Sequence, residues 1–164
     1  MKTRFALFLV PLLLFSCTIQ YGMIDGSINA NTFSVELFEE QAANAPVGYG
    51  ATYTDFLKDY MISRTKLNLK NEKADVEIAG KITYFNTVPV SVQSDELAAL
   101  NRLIVTIDVT VINNIEEDQS FDETFTQQSD FDAALDLSSV QDQLLEDING
   151  KLSQAVINRL TSNW

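Results

Sequence analysis

Apolar and polar residues alternate with two different periods along this chain. Phe33-Ser34-Val35-Glu36-Leu37-Phe38 alternates in part and predicts a first strand. Gln41 to Gly50 is rich in Ala, Asn, Gly and Pro and predicts a loop. From Ala51 to Leu67 the period becomes helical, with Tyr53, Phe56, Leu57, Tyr60 and Met61 on one face. That stripe is read as core packing, not a ligand box. Asp55 near its start and Arg64 and Lys66 near its end suit the helix dipole. Asn68 to Lys73 is a polar turn.

Period two returns at Asp75 to Gln93. Val76, Ile78, Gly80, Ile82 and Tyr84 are expected on one face, and Glu77, Ala79, Lys81, Thr83 and Phe85 on the other. Pro89 near its far end predicts a bulge, an edge, or a break before a short segment Val88 to Val92. Gln93 to Asn101 connects to Arg102–Asn114, where Leu103, Val105, Ile107, Val109 and Val111 form an apolar face. Its other face is half polar, the mark of an antiparallel sheet wet on one side. Phe121 to Gln128 is a further strand, and Ser129 to Leu137 connects to a final helix. Ser138 with Gln141 three residues on is a capping-box pattern. Val140, Leu144, Ile148, Leu152, Val156 and Leu160 then recur every fourth residue to about Thr161, with Gly150 marking a kink or a close approach. Trp164 is expected to pack back on the fold.

The order β-α-β-β-β-α gives an α+β class: a two-layer sandwich of two helices on one mostly antiparallel four-stranded sheet. The late strands form a meander, and the first can run parallel to a neighbour through a crossover. There is no internal repeat or domain boundary.

The first residues change the picture. Lys2 and Arg4 precede an apolar run from Phe5 to Phe15, followed by Ser16 and Cys17, the single cysteine. The run is about 11 residues, short of the roughly 20 needed to span a bilayer. Charged, apolar and then small residues are the pattern of a secretory signal, and a cysteine directly after the small residue looks like a lipobox. An ordinary cleaved signal and a core helix are the alternatives, and fit less well. Residues 1–16 are thus read as a lipoprotein signal peptide, 17–31 as a lipidated tether, and 32–164 as a single α+β domain.

The net charge of −12 disfavours nucleic acid, which needs Lys and Arg against phosphates. It equally disfavours adhesion to anionic headgroups, so attachment would rest on acyl chains on Cys17. With no histidine, Ser-His-Asp and Cys-His catalysis and histidine metal sites are excluded. Glu39-Glu40, Asp95-Glu96, Glu116-Glu117-Asp118, Asp122-Glu123, Asp130 and Asp132 are the acid–base candidates. They fall at strand ends and turns, where carboxylates are normally solvated. Asp118 to Asp132 lacks the spacing of a calcium loop. No catalytic residue, metal site or cofactor is assigned. Asn101 and Arg102 are the candidate contact residues for a partner or ligand; the alternative for Arg102 is an ion pair with an acid such as Asp95 or Glu96.

Several short stretches together resemble the LptE family of lipopolysaccharide-assembly lipoproteins, in a short divergent form. They are the cysteine followed by Tyr21-Gly22 and Gly26-Ser27-Ile28; Phe33-Ser34-Val35 before Phe38-Glu39; Thr65-Lys66-Leu67; Ala98-Ala99-Leu100-Asn101-Arg102-Leu103; Asp130-Phe131; Leu137-Ser138-Ser139-Val140; and Asn163-Trp164. The resemblance implies a non-enzymatic subunit of the lipopolysaccharide translocon that plugs and supports a large outer-membrane β-barrel of the LptD type. Lipopolysaccharide itself is a further candidate partner. The resemblance also implies basic residues near the second strand connection; this chain has Asp95 and Glu96 there, with Arg102 nearby. Thr18 after Cys17 points to an outer-membrane anchor with the domain facing the periplasm. The alternative function is a periplasm-facing lipoprotein that binds a lipid or small apolar ligand.

Overall fold

The computed structural model describes residues 28–90 and 99–162. The signal, Cys17, Asp95, Glu96 and Trp164 lie outside the described residues. The elements are β1 (Thr32–Val35), β2 (Glu39–Glu40), α1 (Tyr49–Arg64), β3 (Asn68–Leu69), β4 (Val76–Val90), β5 (Leu100–Asn113), β6 (Phe121–Asp132) and α2 (Leu137–Thr161). A 3-10 turn at Glu117–Gln119 joins β5 to β6.

The α+β sandwich forms as the patterns predict. The sheet runs β3-β1-β4-β5-β6, with β2 adding to β4. β4, β5 and β6 are an antiparallel meander, and β1 lies parallel to β4 across the α1 crossover. Three details differ from expectation. The predicted strand Phe33–Phe38 stops at Val35, the end of β1, and pairing resumes only at Glu39–Glu40 as β2, and the turn after α1 contains β3. Strands of two residues are too short to display a period. β6 also runs four residues past Gln128, to Asp132.

A second correction concerns the faces of β4. Ile82 pairs with Ile107 and Tyr84 with Thr106, so Thr83 is an extra residue in β4. A bulge of one residue inverts the alternation beyond it. Tyr84 is therefore 41% exposed and Phe85 only 4%, the reverse of the strict period-two assignment. Phe85 then meets Tyr49 edge-on, ring centroids 5.6 Å apart. Pro89 does not break β4.

The core lies between sheet and helices. Leu103, Val105, Ile107, Val109 and Val111 of β5 are buried against Ile148, Leu152 and Val156 of α2 and Tyr53, Leu57 and Met61 of α1. Each such side chain contributes about 1.5–3 kcal/mol by leaving water. Phe56 and Tyr60, the other members of the aromatic stripe, stack on each other at the surface, with Arg64 over the Tyr60 ring.

α2 opens at Leu137, after Asp136, not at Ser138; Ser139 Oγ donates to the Asp136 carbonyl. Gly150 lies inside the continuous helix with nothing near its Cβ position, so close packing does not explain it. Phe38 holds β2 to the rest. Its amide donates to Thr54 Oγ1 at 2.9 Å, its ring meets Tyr53 edge-on at 5.0 Å, and it fills the space beside Gly80. Glu40 accepts from the Gly50 amide at 2.9 Å, closing the start of α1.

Candidate interaction surface

The face of the β4–β5–β6 meander turned away from the helices carries Arg102, whereas the other predicted contact residue, Asn101, has the parity of the core-facing positions of β5. β5 places Arg102, Ile104, Thr106, Asp108 and Thr110 on it. Antiparallel register sets them opposite Asp130, Gln128, Thr126, Thr124 and Asp122 of β6. Four of these pairs are hydrogen-bonded: Thr106 with Thr126 at 2.9 Å, Thr124 Oγ1 to Asp108 at 2.7 Å, Thr110 Oγ1 to Asp122 at 2.5 Å, and Arg102 with Asp130. Cross-strand pairs of this kind fix register on a wet sheet face.

Arg102 meets Asp130 as a two-point fork, Nε to Oδ1 at 2.6 Å and Nη2 to Oδ2 at 2.8 Å. That hydrogen bond, with Lys151 adding attraction, holds the Asp130 carboxyl below the usual range, and raises the guanidinium in turn. Both side chains are about a third exposed, so screening leaves the pair little weight in stability. The expected partners, Asp95 and Glu96, lie outside the described residues; the acid that pairs with Arg102 is Asp130. The signal was available: β6 read backwards from Asp130 to Asp122 mirrors β5 from Arg102 to Thr110. Asn101 sits beside this pair, opposite Phe131. Cys17 lies outside the described residues.

The acidic candidates do not converge. Among the described residues, no three Asp, Glu or Cys side chains gather as metal ligands. The carboxyls with a clear shift are all lowered: Asp130, Asp147 by its hydrogen bond with Lys151, and Asp75 by backbone amides. A general acid needs the opposite shift. Glu123 pairs with Arg159 at 2.8 Å, and that guanidinium covers the Phe121 ring.

A hollow of about 550 Å³ opens between α1, α2 and β6. Tyr60, Gln127, Asp147, Lys151 and Gln154 line it together with Gly150 and Ala155, so its lining is mixed and it lies outside the core. The layer interface beneath is filled by side chains with no exposure, including Tyr53, Leu57, Met61, Ile148 and Leu152.

Similar folds occur among solved structures. A minor lipoprotein from Acinetobacter baumannii is 14% identical with a TM-score of 0.52, covering 83% of this chain and 96% of that one. A hypothetical protein from Chlamydia trachomatis is 12% identical with a TM-score of 0.55, covering 80% and 96%. The PelC dodecamer from Paraburkholderia phytofirmans is 10% identical with a TM-score of 0.51, covering 85% and 93%. At these identities the likeness concerns the fold alone. No curated protein matches by sequence. The family described as LptE, lipopolysaccharide-assembly, matches residues 30–160, and the chain belongs to that family of non-enzymatic lipoproteins.

Proposed function

We propose that this protein is an outer-membrane lipoprotein subunit of the lipopolysaccharide translocon, plugging and supporting a large β-barrel partner of the LptD type. Acyl chains on Cys17 would anchor it, with the domain facing the periplasm. The family match over residues 30–160 carries the reading, and the cysteine after Ser16 supports it. Arg102, on the outer face of the meander, and Asn101, its neighbour on β5 with the opposite facing, are the proposed contact residues for the barrel or for lipopolysaccharide. The filled interface between helices and sheet favours a plug over a carrier of small apolar ligands, because a carrier needs an apolar cavity.

Pull-down from solubilised envelope is the test. Recovery of a large β-barrel protein is expected, and a monomer with no barrel partner would sink the proposal. Replacement of Cys17 by Ser should release the domain from the membrane fraction.

A further inference from the structure

We infer that the open edge of β4, from Tyr84 to Val90, accepts an added strand from an extended loop or terminal segment of the barrel partner. This rests on the translocon reading above and names where that partner binds.

β4 is much longer than its neighbours on the β1 side. β1 pairs with Val76, Glu77 and Ile78, and β2 with Lys81 and Ile82. The Ile82 carbonyl accepts from the Gln41 and Ala42 amides, and the chain then turns toward α1. Beyond the bulge, among the described residues, the backbone of Tyr84–Val90 pairs only with β5. At roughly 3.3 Å per residue this leaves an edge of about 20 Å, the length of an ordinary strand.

Sheet edges invite strand pairing, and proteins usually block it with charge, proline or brevity. Among the described residues, the edges at β6 and β3 are blocked, and β2 is two residues long with Glu39 and Glu40 on it. β6 carries Asp122, Glu123, Asp130 and Asp132, and Lys151 Nζ donates to the Gln128 carbonyl at 3.2 Å. β3 is two residues long, with Lys66, Lys70 and Lys73 close by in sequence. The β4 edge has no charge from Ile82 to Val90, and its β-branched and aromatic residues suit pairing. Pro89 stands only near its end. The Thr87 amide has a makeshift partner, the neighbouring Asn86 Oδ1 at 2.9 Å, and Thr87 Oγ1 is buried with none among the described residues.

The occupant follows from charge and closure. A second copy would bring another net −12 to an edge that offers no opposite charge, so like-charge repulsion disfavours it. A closed barrel has no free strand edge, so the partner contributes a loop or terminal segment instead. Main-chain hydrogen bonds would give the affinity, as in other strand additions.

A photo-crosslinking amino acid in place of Asn86, activated in intact cells, tests this. The expected product is an adduct with a large outer-membrane barrel protein. An adduct of twice the chain's mass, or no adduct, overturns the inference. A second measurement uses Val88→Lys and, as the blocked-edge control, Leu69→Lys on β3, where the side chain is exposed. Val88→Lys should cut barrel recovery about tenfold and Leu69→Lys should not; equal effects overturn the inference. If the wild type recovers a barrel but position 86 gives no adduct, only the edge inference fails. If no barrel is recovered and position 86 captures a different protein, the translocon reading fails, and with it the occupant named here.

Discussion

The Tyr49 hydroxyl donates to Asn149 Oδ1 at 2.7 Å, across the two helices and 100 residues apart in sequence, with both side chains buried. Tyr60 reaches Gln154 in the same way at 2.8 Å. Tyr53 and Ser153 are neighbours between them, but their hydroxyls make no well-formed hydrogen bond. The seam between α1 and α2 is thus tied by specific polar pairs over an apolar floor. Tyr49→Phe would leave the Asn149 acceptor buried and unpaired, at a cost of about 1–3 kcal/mol. Asn149→Leu would strand the phenol in turn. Because each single change orphans the other partner, the double variant should be less destabilised than the two singles added together. Urea unfolding of the four proteins measures this coupling.

Burial pushes the Tyr49 and Tyr53 phenols well above their ordinary value. Their folded state binds protons that the unfolded chain gives up near pH 10. Stability should therefore hold below about pH 10 and fall as pH rises from there toward the folded-state values. Tyr49→Phe should flatten that alkaline decline in a pH series of unfolding midpoints, even though it lowers stability at pH 7.

Two glycines should answer to alanine in opposite directions. At Gly80 a Cβ would come within 2.4 Å of the Phe38 ring and 2.7 Å of the Asp108 carbonyl. Backbone cannot yield there, so Gly80→Ala should cost about 1–3 kcal/mol. At Gly150 nothing lies within 4 Å and the helix continues on both sides. Gly150→Ala should therefore stabilise by about 0.5–1 kcal/mol. Thermal unfolding of both variants separates the cases.

These contrasts also mark where the sequence was readable. The long periodic segments announced themselves: the apolar faces of β5 and α2 are buried as their spacing demands. Thr83 did not. A bulge adds a residue without altering composition, so Tyr84 and Phe85 exchanged faces with no local sign. The β2 and β3 pairings depend on neighbours remote in sequence, as does the clamp of Phe38 on Gly80. On the outer face, the Arg102–Asp130 fork was legible only by aligning two strands in opposite directions. The cap of α2 was misread because Ser138 and Gln141 match a local pattern that Asp136 pre-empts by two residues.

The Arg102–Asp130 fork separates a structural from a contact role. As a surface pair about a third exposed it should matter little to folding. Arg102→Ala should leave the unfolding midpoint close to wild type. If Arg102 contacts the partner as proposed, the same variant should lower barrel recovery in the pull-down. Exchanging the two residues, Arg102→Asp with Asp130→Arg, should keep the fork but not the recovery. Recovery unchanged in both variants would remove Arg102 from the contact surface.

Acid should loosen the start of the domain. Asp75 Oδ2 accepts the Asn31 amide at 2.8 Å and the Thr32 amide at 3.0 Å, and the Asp75 amide donates to Thr32 Oγ1 at 2.9 Å. These bonds tie the entry of β1 to the residue before β4. The amides hold the Asp75 carboxyl below its ordinary value, as Arg102 does for Asp130 and Lys151 for Asp147. A lowered folded-state value means that the unfolded chain takes up protons first. Their stabilisation is complete above the unfolded value near pH 4 and is lost as pH falls through the lower folded values. Asp75→Asn keeps the shape but removes the ionised acceptor. It should be less stable than wild type at pH 7, and the difference should shrink as pH falls below about 4. Amide hydrogen exchange at Asn31 and Thr32 should quicken in the variant, while amides in the centre of β5 keep wild-type protection relative to global stability. Equal quickening in both places would mean that Asp75 supports the whole fold and not its entry alone.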